Sequence, residues 1–343
     1  MKPITIIGGG LAGLTLGIGL RARGVPVTLW EASHYPRHRV CGEFISGRGQ
    51  AALERLQLHE AFTEAGAIQA RTAAFFFELG STPIRPLPVP ALCLSRFIID
   101  ALLAKRFRES GGELRENQRW PQTDFGEGTV RSSGRRLQLN EGGFRWFGLK
   151  VHAQNVVLTA DLEMHVVPNG YVGLCRLHNE VNVCGLFRRA MAAPDLSKHR
   201  EELLRGQPGT SLGTRLADAV FDQDSFCAVA GLALHPRHAC AMPECCIGDA
   251  LTMIPPVTGN GMSMAFESAE LAIEPLSAYS RGEISWSRAR EHVAEACDQA
   301  FAKRLAWAAW LQRLMFARFL QGKLGLALLR SDWLWHTMFQ KTR

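Results

Sequence analysis

One short segment decides most of what this chain can become. Ile4-Thr5-Ile6-Ile7 is a β-branched, strand-like run, and it ends in Gly8-Gly9-Gly10-Leu11-Ala12-Gly13. A helical stretch follows to about Ala22, then a turn at Gly24-Val25-Pro26, then a second strand at Val27-Thr28-Leu29-Trp30-Glu31. Together they read as a βαβ unit of about thirty residues. In such a unit Gly8 permits the tight turn, Gly10 lets backbone approach a pyrophosphate, and Gly13 lets the helix pack close to the sheet. The helix N-terminus, at Leu11 and Ala12, offers free N–H groups and a positive dipole end to phosphates. Glu31, followed by Ala32, lies eighteen residues after Gly13, where a carboxylate accepts hydrogen bonds from an adenosine ribose. The glycine pattern alone is weak evidence; the strand before it, the helix after it and the acid in register make it specific. It does not separate FAD from NAD.

A second cluster does separate them. Cys245-Cys246-Ile247 reads as a strand leading into Gly248-Asp249-Ala250. Ile254 to Met262 follows, with Pro256, Gly259, Asn260, Gly261 and Met262 forming a turn that opens a helix running to Tyr279. Asp249 is placed to bind a sugar-alcohol hydroxyl, as on a ribityl chain. The positive end of the following helix can face an electron-rich ring and stabilise a reduced flavin. Taken alone, the segment also fits a Pro/Gly loop that caps a helix. Paired with the first cluster it calls for FAD.

Other segments complete a family resemblance. Val40-Cys41-Gly42-Glu43-Phe44-Ile45-Ser46 is similar to the Cys-Gly-Glu segment near the flavin in geranylgeranyl reductases, and Leu94-Ser95-Arg96 with Asp100 resembles a helix start whose Arg contacts the cofactor. With the two glycine clusters, the chain resembles FAD-dependent oxidoreductases of the geranylgeranyl reductase and para-hydroxybenzoate hydroxylase type over most of residues 1–280. The resemblance implies an α/β fold: a Rossmann-like FAD-binding domain of glutathione-reductase type, an inserted antiparallel-sheet substrate domain, and C-terminal helices. The expected FAD-binding parts are 1–70, 92–150 and 226–280. The expected substrate domain is 71–91 and 151–225, and 281–343 is a helical region. Cofactor contacts are expected from Gly8, Gly10, Leu11, Ala12, Gly13, Glu31, Ala32, Arg39, Cys41, Gly42, Arg96, Gly248, Asp249, Pro256, Gly259, Asn260, Gly261 and Met262. Glu43 and Cys41 are the candidate catalytic residues. Glu43 could orient substrate or tune the flavin, and Cys41 is reactive only if something such as a helix N-terminus lowers its pKa. The chain departs from the pattern at Ser132-Ser133-Gly134-Arg135-Arg136, where Ser133 replaces the family's usual Asp. No second G-x-G-x-x-G occurs, so NAD(P)H is expected only as a transient reductant.

Composition closes off other classes. Hydrophobic residues are 47% and charged residues 21%, a globular balance that excludes a disordered or fibrous chain. Nine cysteines, an odd count at irregular spacing and mostly in apolar runs, read as reduced thiols of a cytoplasmic protein, and the lack of a C-x-x-C pair leaves zinc little support. Met1-Lys2-Pro3 leads straight into the first strand, unlike a secretory leader, and no run of 18 uncharged apolar residues suggests a spanning helix. The net charge of +7 resides in residues 301–343, with eight Lys or Arg against Asp332 alone. That stretch is also rich in Trp, Phe and Leu. It therefore favours a membrane surface or a hydrophobic partner over nucleic acid, although Lys303, Arg304, Arg313, Arg318 and Lys323 scatter around a helical wheel and draw no clean amphipathic face.

Three apolar runs, 156–167, 171–177 and 181–187, joined by Pro168-Asn169-Gly170 and His178-Asn179-Glu180, predict an antiparallel meander. With Phe75-Phe76-Phe77 they suggest a small hydrophobic substrate, aromatic, polyketide-like or lipid-like. NAD(P)H-dependent hydroxylation leads among the reactions, with ene reduction next; a prenyl- or protein-binding member without redox work is the alternative from another class. Halogenation, as the related family performs it, needs a carrier Lys and a Trp-x-Trp-x-Ile-Pro segment. No Lys occurs between Lys2 and Lys105 and no such Trp segment exists, so halogenation ranks last. Nothing in the sequence sets the oligomeric state.

Overall fold

The computed structural model describes residues 1–122, 125–138, 142–191, 199–316 and 330–342. Its first layer is a five-stranded sheet in the order β14-β8-β1-β2-β7, built from β1 (Ile4–Ile7), β2 (Val27–Trp30), β7 (Glu113–Arg115), β8 (Thr129–Arg131) and β14 (Cys245–Cys246). Every pairing in it is parallel, beginning with Ile4 opposite Val27 and Thr5 opposite Thr129. Parallel sheets need both faces covered, hence the continuous apolar runs. Helices α1 (Leu11–Arg21), α4 (Arg96–Glu109) and α7 (Gly261–Arg281) share one buried core with these strands. Two shorter helices, α2 (Arg48–Arg55) and α3 (His59–Glu64), follow the first βαβ unit in the chain.

The second layer is a nine-stranded sheet. Its path is β13-β9-β12-β11-β10-β4-β6-β3, with β5 off the path on β4. The strands are β3 (Phe44–Ile45), β4 (Ile68–Phe77), β5 (Gly80–Ser81), β6 (Arg85–Cys93), β9 (Phe144–Gln154), β10 (Leu162–Val167), β11 (Gly170–Arg176), β12 (Val181–Ala190) and β13 (Val220–Ala230). The meander over β10, β11 and β12 is present, turning at Asn169 with φ 58°. Two features differ from expectation. The sheet is mixed, because β4 and β10 run parallel, with Ala73 opposite Leu162. It is also wider than 71–91 and 151–225, since β3, β9 and β13 belong to it. The Pro-rich stretch lies on an edge: only Leu92 and Cys93 of β6 reach β3, so Pro86, Pro88 and Pro90 need supply no ladder donor on that side.

The period of two along β11 assigns its faces. Val172 and Leu174 join Val151, Val183, Leu204 and Leu212 in a closed core beneath α5 (Arg200–Arg205) and α6 (Ser211–Arg215). Tyr171, Gly173 and Cys175 line the opposite face, which is hollow. A buried clamp fixes β10 here. The Glu163 carboxylate accepts hydrogen bonds from Thr159 N at 2.6 Å, Thr159 Oγ1 at 2.9 Å and Arg215 Nε at 3.0 Å, and pairs with His165 Nε2 at 2.9 Å. Burial would raise the Glu163 pKa, but these partners bring it down to about 2. Burial also lowers the His165 value, so at neutral pH the imidazole is a neutral donor and Arg215 supplies the positive charge. A depressed carboxylate stabilises the fold above its unfolded pKa and loses that contribution as pH falls through the folded one. Glu163→Gln is therefore expected to cost about 3 kcal/mol at pH 7. The gap from wild type should narrow as pH falls below 4.5 toward 2, read by denaturant melts along a pH series.

The C-terminal region is a wall rather than a tail. α8 (Trp286–Met315) packs on α7, where buried Arg304 makes a bidentate pair with Glu267 at 2.8 and 2.7 Å. α9 (Asp332–Thr342) docks on the second sheet through buried Trp335, against Phe75 and Leu87. Arg330 donates to Ser81 O. Arg304 is thus unavailable to a membrane surface, and Arg318, Lys323 and Arg343 lie outside the described residues. Among the described residues no helix is long and apolar enough to cross a membrane.

Candidate functional site

Both glycine clusters open into one cavity of about 1050 Å³. Gly8, Gly10, Leu11 and Ala12 line it from the first βαβ unit, and Gly248, Asp249, Pro256, Gly259, Gly261 and Met262 line it from the second segment. α1 is capped by Gly10 and α7 by Asn260; neither helix has a side-chain cap bond or an acidic residue in its first turn. Two helix N-termini therefore bring free N–H groups to the same slot, an arrangement suited to anionic or electron-rich groups. At one end lie Trp30, Ala32, Gln118, Arg119 and Trp120, and at the other the hollow face of the second sheet.

The expected contact residues divide by role. Gly13 does not line the cavity; it lets α1 approach the sheet, and an added Cβ would sit 2.1 Å from the Gly8 carbonyl oxygen. Glu31 lines it, but its carboxylate already accepts from Gly9 N at 2.8 Å, Ser33 N at 2.9 Å and Arg37 Nη1 at 2.7 Å. Burial pushes the Glu31 pKa up, and Arg37 with the two amides brings it below the usual carboxylate range. Glu31 thus braces the Gly9 turn, while its Oε2, which accepts only from Gly9 N, keeps acceptor capacity. Arg96 lines the cavity while held bidentately by Asp100 at 2.7 and 2.9 Å, which aims its guanidinium. Arg39 lines it with a buried Nε that has no partner among the described residues, and burial together with Arg37 and Arg96 disfavours its charged form. A bound anion beside the guanidinium would relieve the second condition. Asp249 lines the cavity and hydrogen-bonds no described residue; desolvation raises its pKa, and Arg135 and Arg96 oppose the rise. Asn260 does not line the cavity. It is buried, with its Oδ1 accepting from Ser46 Oγ at 3.3 Å. Ser133, Gly134 and Arg135 line it although Ser133 replaces an acid.

The Cys-Gly-Glu segment is at the centre but works indirectly. Cys41, Gly42 and Glu43 line the cavity. Burial pushes the Cys41 thiol up despite Arg96, which keeps it protonated and opposes a nucleophilic role. Glu43 has φ 60° and a fully buried side chain. Its carboxylate accepts from Arg96 N at 2.8 Å, meets His152 Nε2 at 2.7 Å and lies 3.5 Å from Lys150 Nζ. His152 Nδ1 meets Glu180 at 2.7 Å, and Lys150 Nζ meets His38 Nδ1 at 3.0 Å. Burial disfavours the imidazolium of His152, but Glu180 and Glu43 outweigh it and raise its pKa. Lys150, His152 and Glu180 were not legible as site residues: they come from β9 and the β11–β12 turn, and no local spacing marks them. Glu43 is thus a positioning residue that fixes the loop through buried charge.

The distal half is apolar. Phe75, Phe77, Leu162, Met164 and Leu186 form its floor, while Trp310, Leu314, Met315 and Trp335 of the C-terminal helices cover it.

Comparison with known proteins agrees with this architecture. No family model matches the sequence, and no curated protein matches it. Solved structures do match the fold. Flavin-dependent brominase Bmp2 superposes with a TM-score of 0.73 at 17% identity, over 100% of this chain and 94% of that one. Halogenase PltM in complex with phloroglucinol and FAD gives 0.73 at 16%, over 99% and 83%. The myxobacterial chondrochloren halogenase CndH gives 0.72 at 19%, over 92% and 82%. This chain has the fold of FAD-dependent halogenases.

Proposed function

We infer that the protein is an FAD-dependent oxidoreductase acting on an apolar small molecule held under the C-terminal helices. One observation carries this: two helix N-termini without side-chain cap bonds, and an Asp249 carboxylate that hydrogen-bonds no described residue, meet in a single cavity that continues into an apolar chamber. The residues fit the cofactor. A Cβ at Gly10 would meet no protein atom within 4 Å, so the turn leaves room beside the α1 amides for a diphosphate. Arg39 would supply a charge, Asp249 would accept a ribityl hydroxyl, and the α7 N-terminus would offer its amides to the flavin. Bound FAD supplies the two-electron chemistry. The protein's own part is to bind and orient, and to keep water from the chamber beneath Trp310 and Trp335.

The neighbours revise the order of reactions. The solved structures that share the fold are halogenases, and this supports halogenation ahead of hydroxylation. The lining opposes it: no lysine lines the cavity among the described residues, and Lys150 is sequestered behind Glu43. Purified protein is expected to be yellow, or to become so with FAD; protein that stays colourless with added FAD overturns the reading. Oxygen uptake with an apolar aromatic substrate then sorts the reaction. Dependence on bromide or chloride marks halogenation, halide-independent uptake marks hydroxylation, and turnover without oxygen marks ene reduction. Consumption of NADH or NADPH by the chain alone, against a need for supplied reduced FAD, decides the reductant.

A further inference from the structure

The C-terminal half of α8 turns a stripe of mixed character outward. Lys303, Ala306, Trp307, Trp310 and Arg313 fall within an arc of about 120° at the helical period. Arg304 lies off this arc and points inward to Glu267, which removes one of the charges that blur the face in the sequence. Lys303, Ala306, Trp310 and Arg313 are exposed, Trp310 at 47%. Trp307 and Trp310 pack edge to face at 5.4 Å, so the two indoles form one aromatic surface. α9, which docks against α8, adds Trp333, 74% exposed, and the exposed Lys341. Exposed aromatic side chains grouped in this way mark a surface that meets something other than water.

The free charge on these two stretches has one sign. No Asp or Glu occurs between Gln299 and Phe316, and the one acid of α9, Asp332, pairs with Arg85 at 2.9 Å. Lys303, Arg313 and Lys341 make no ion pair with any described residue. Indoles favour the boundary between an apolar and a wet phase, and Lys and Arg meet lipid phosphates there, so the set suits the headgroup zone of an anionic bilayer. The cavity favours lipid over an acidic protein. Trp310, Leu314 and Leu334 line the chamber, whereas Ala306 and Arg313 beside Trp310 do not, which puts Trp310 at its border. A protein seated there would cover that border; a bilayer dissolves apolar molecules and can deliver them across it. We propose that α8 and α9 seat the border of the chamber on an anionic lipid surface, through Trp310, Trp333, Lys303, Arg313 and Lys341, and that the apolar substrate enters from the lipid. The entry route rests on the proposed function; the docking does not.

Vesicle flotation of the full chain tests the docking, with phosphatidylcholine alone or with about one-third phosphatidylglycerol. Binding to the anionic vesicles is expected to be at least about tenfold tighter, and to fall away as salt rises to about 0.5 M. Lys303→Glu with Arg313→Glu should weaken it at least about thirtyfold. Lys105→Glu with Arg106→Glu makes the same charge change on exposed positions of α4 and should weaken it less than about threefold. Bromine-labelled lipid in the anionic vesicles should quench the tryptophan fluorescence of the flavin-free chain, and Trp310→Phe with Trp333→Phe should lose most of that quenching. No binding to anionic vesicles, equal binding to neutral ones, equal losses in the two charge-reversed variants, or undiminished quenching in the tryptophan variant overturns the proposal. Should the first charge-reversed variant fail to fold, the quenching comparison decides alone. A chain that takes up no FAD defeats the oxidoreductase reading instead, while flotation of the flavin-free chain still decides the docking.

Discussion

Gly13→Ala is expected to abolish FAD binding and to destabilise the protein by several kcal/mol, whereas Gly10→Ala should abolish binding and leave the fold almost untouched. At Gly13 the new Cβ would lie 2.1 Å from the Gly8 carbonyl oxygen and 2.5 Å from Ser132 Oγ. Neither atom can retreat. The first is backbone, and the second is held by hydrogen bonds to Ile7 O at 3.1 Å and Gly8 O at 2.6 Å. α1 must therefore lift from the sheet, taking its N-terminal amides with it, at the cost typical of overpacking or more. At Gly10 the backbone is extended, at φ −82° and ψ −171°, which alanine adopts freely. Its Cβ meets no protein atom within 4 Å and projects into space assigned to the diphosphate. Stability of the flavin-free Gly10→Ala protein should stay within about 0.5 kcal/mol of wild type. Thermal melts of flavin-free protein and flavin absorbance after reconstitution give the two readouts. Wild-type FAD affinity in Gly10→Ala would refute the placement of the diphosphate.

The second large effect concerns the buried charges behind Cys41. Glu43→Ala removes the acceptor of Arg96 N and the counter-charge of both Lys150 and His152, all in a site where Glu43 and Lys150 are wholly buried. Breaking such a group by deleting one partner typically costs about 3–5 kcal/mol. Glu43→Gln should cost less, and adding Lys150→Met to it should recover part of the loss, a non-additivity that a double-mutant cycle measures. The pH response has a definite sign. His152 has a raised pKa in the folded protein, so its ion pairing stabilises fully below the ordinary histidine value and is lost as pH rises through the folded one. Wild type should therefore lose stability on the alkaline side, and Glu43→Gln should flatten that slope. Denaturant titrations at pH 5.5 and 9 distinguish this from simple loss of packing, which would lower stability equally at both.

The two glycine turns were legible because their constraints are local: a tight turn, a close approach and a helix start all lie within a few residues of one another. The meander was legible for the same reason, with Asn169-Gly170 between alternating runs. β9 was not, because Lys150 and His152 occupy buried positions and break its apolar pattern. These side chains meet Glu43 from more than a hundred positions away, through sheet pairing that no local spacing encodes. The sequence does not say which way the Asn260 side chain points, and it is buried against Ser46. Arg304 counted as surface charge in the sequence, yet its partner Glu267 belongs to another helix. The ranking of reactions rested on where lysines fall in sequence, which says nothing about what surrounds them in space.

The strand order has a consequence for biosynthesis. β4, at 68–77, finds its parallel neighbour only when residues 162–167 exist, and the edge of the first sheet closes only with Cys245 and Cys246. Contacts so distant in sequence make folding slow. A ribosome must have made more than two-thirds of the chain before either layer can be completed, so a nascent chain halted near residue 140 should expose its unpaired strands to chaperones rather than settle into a native half.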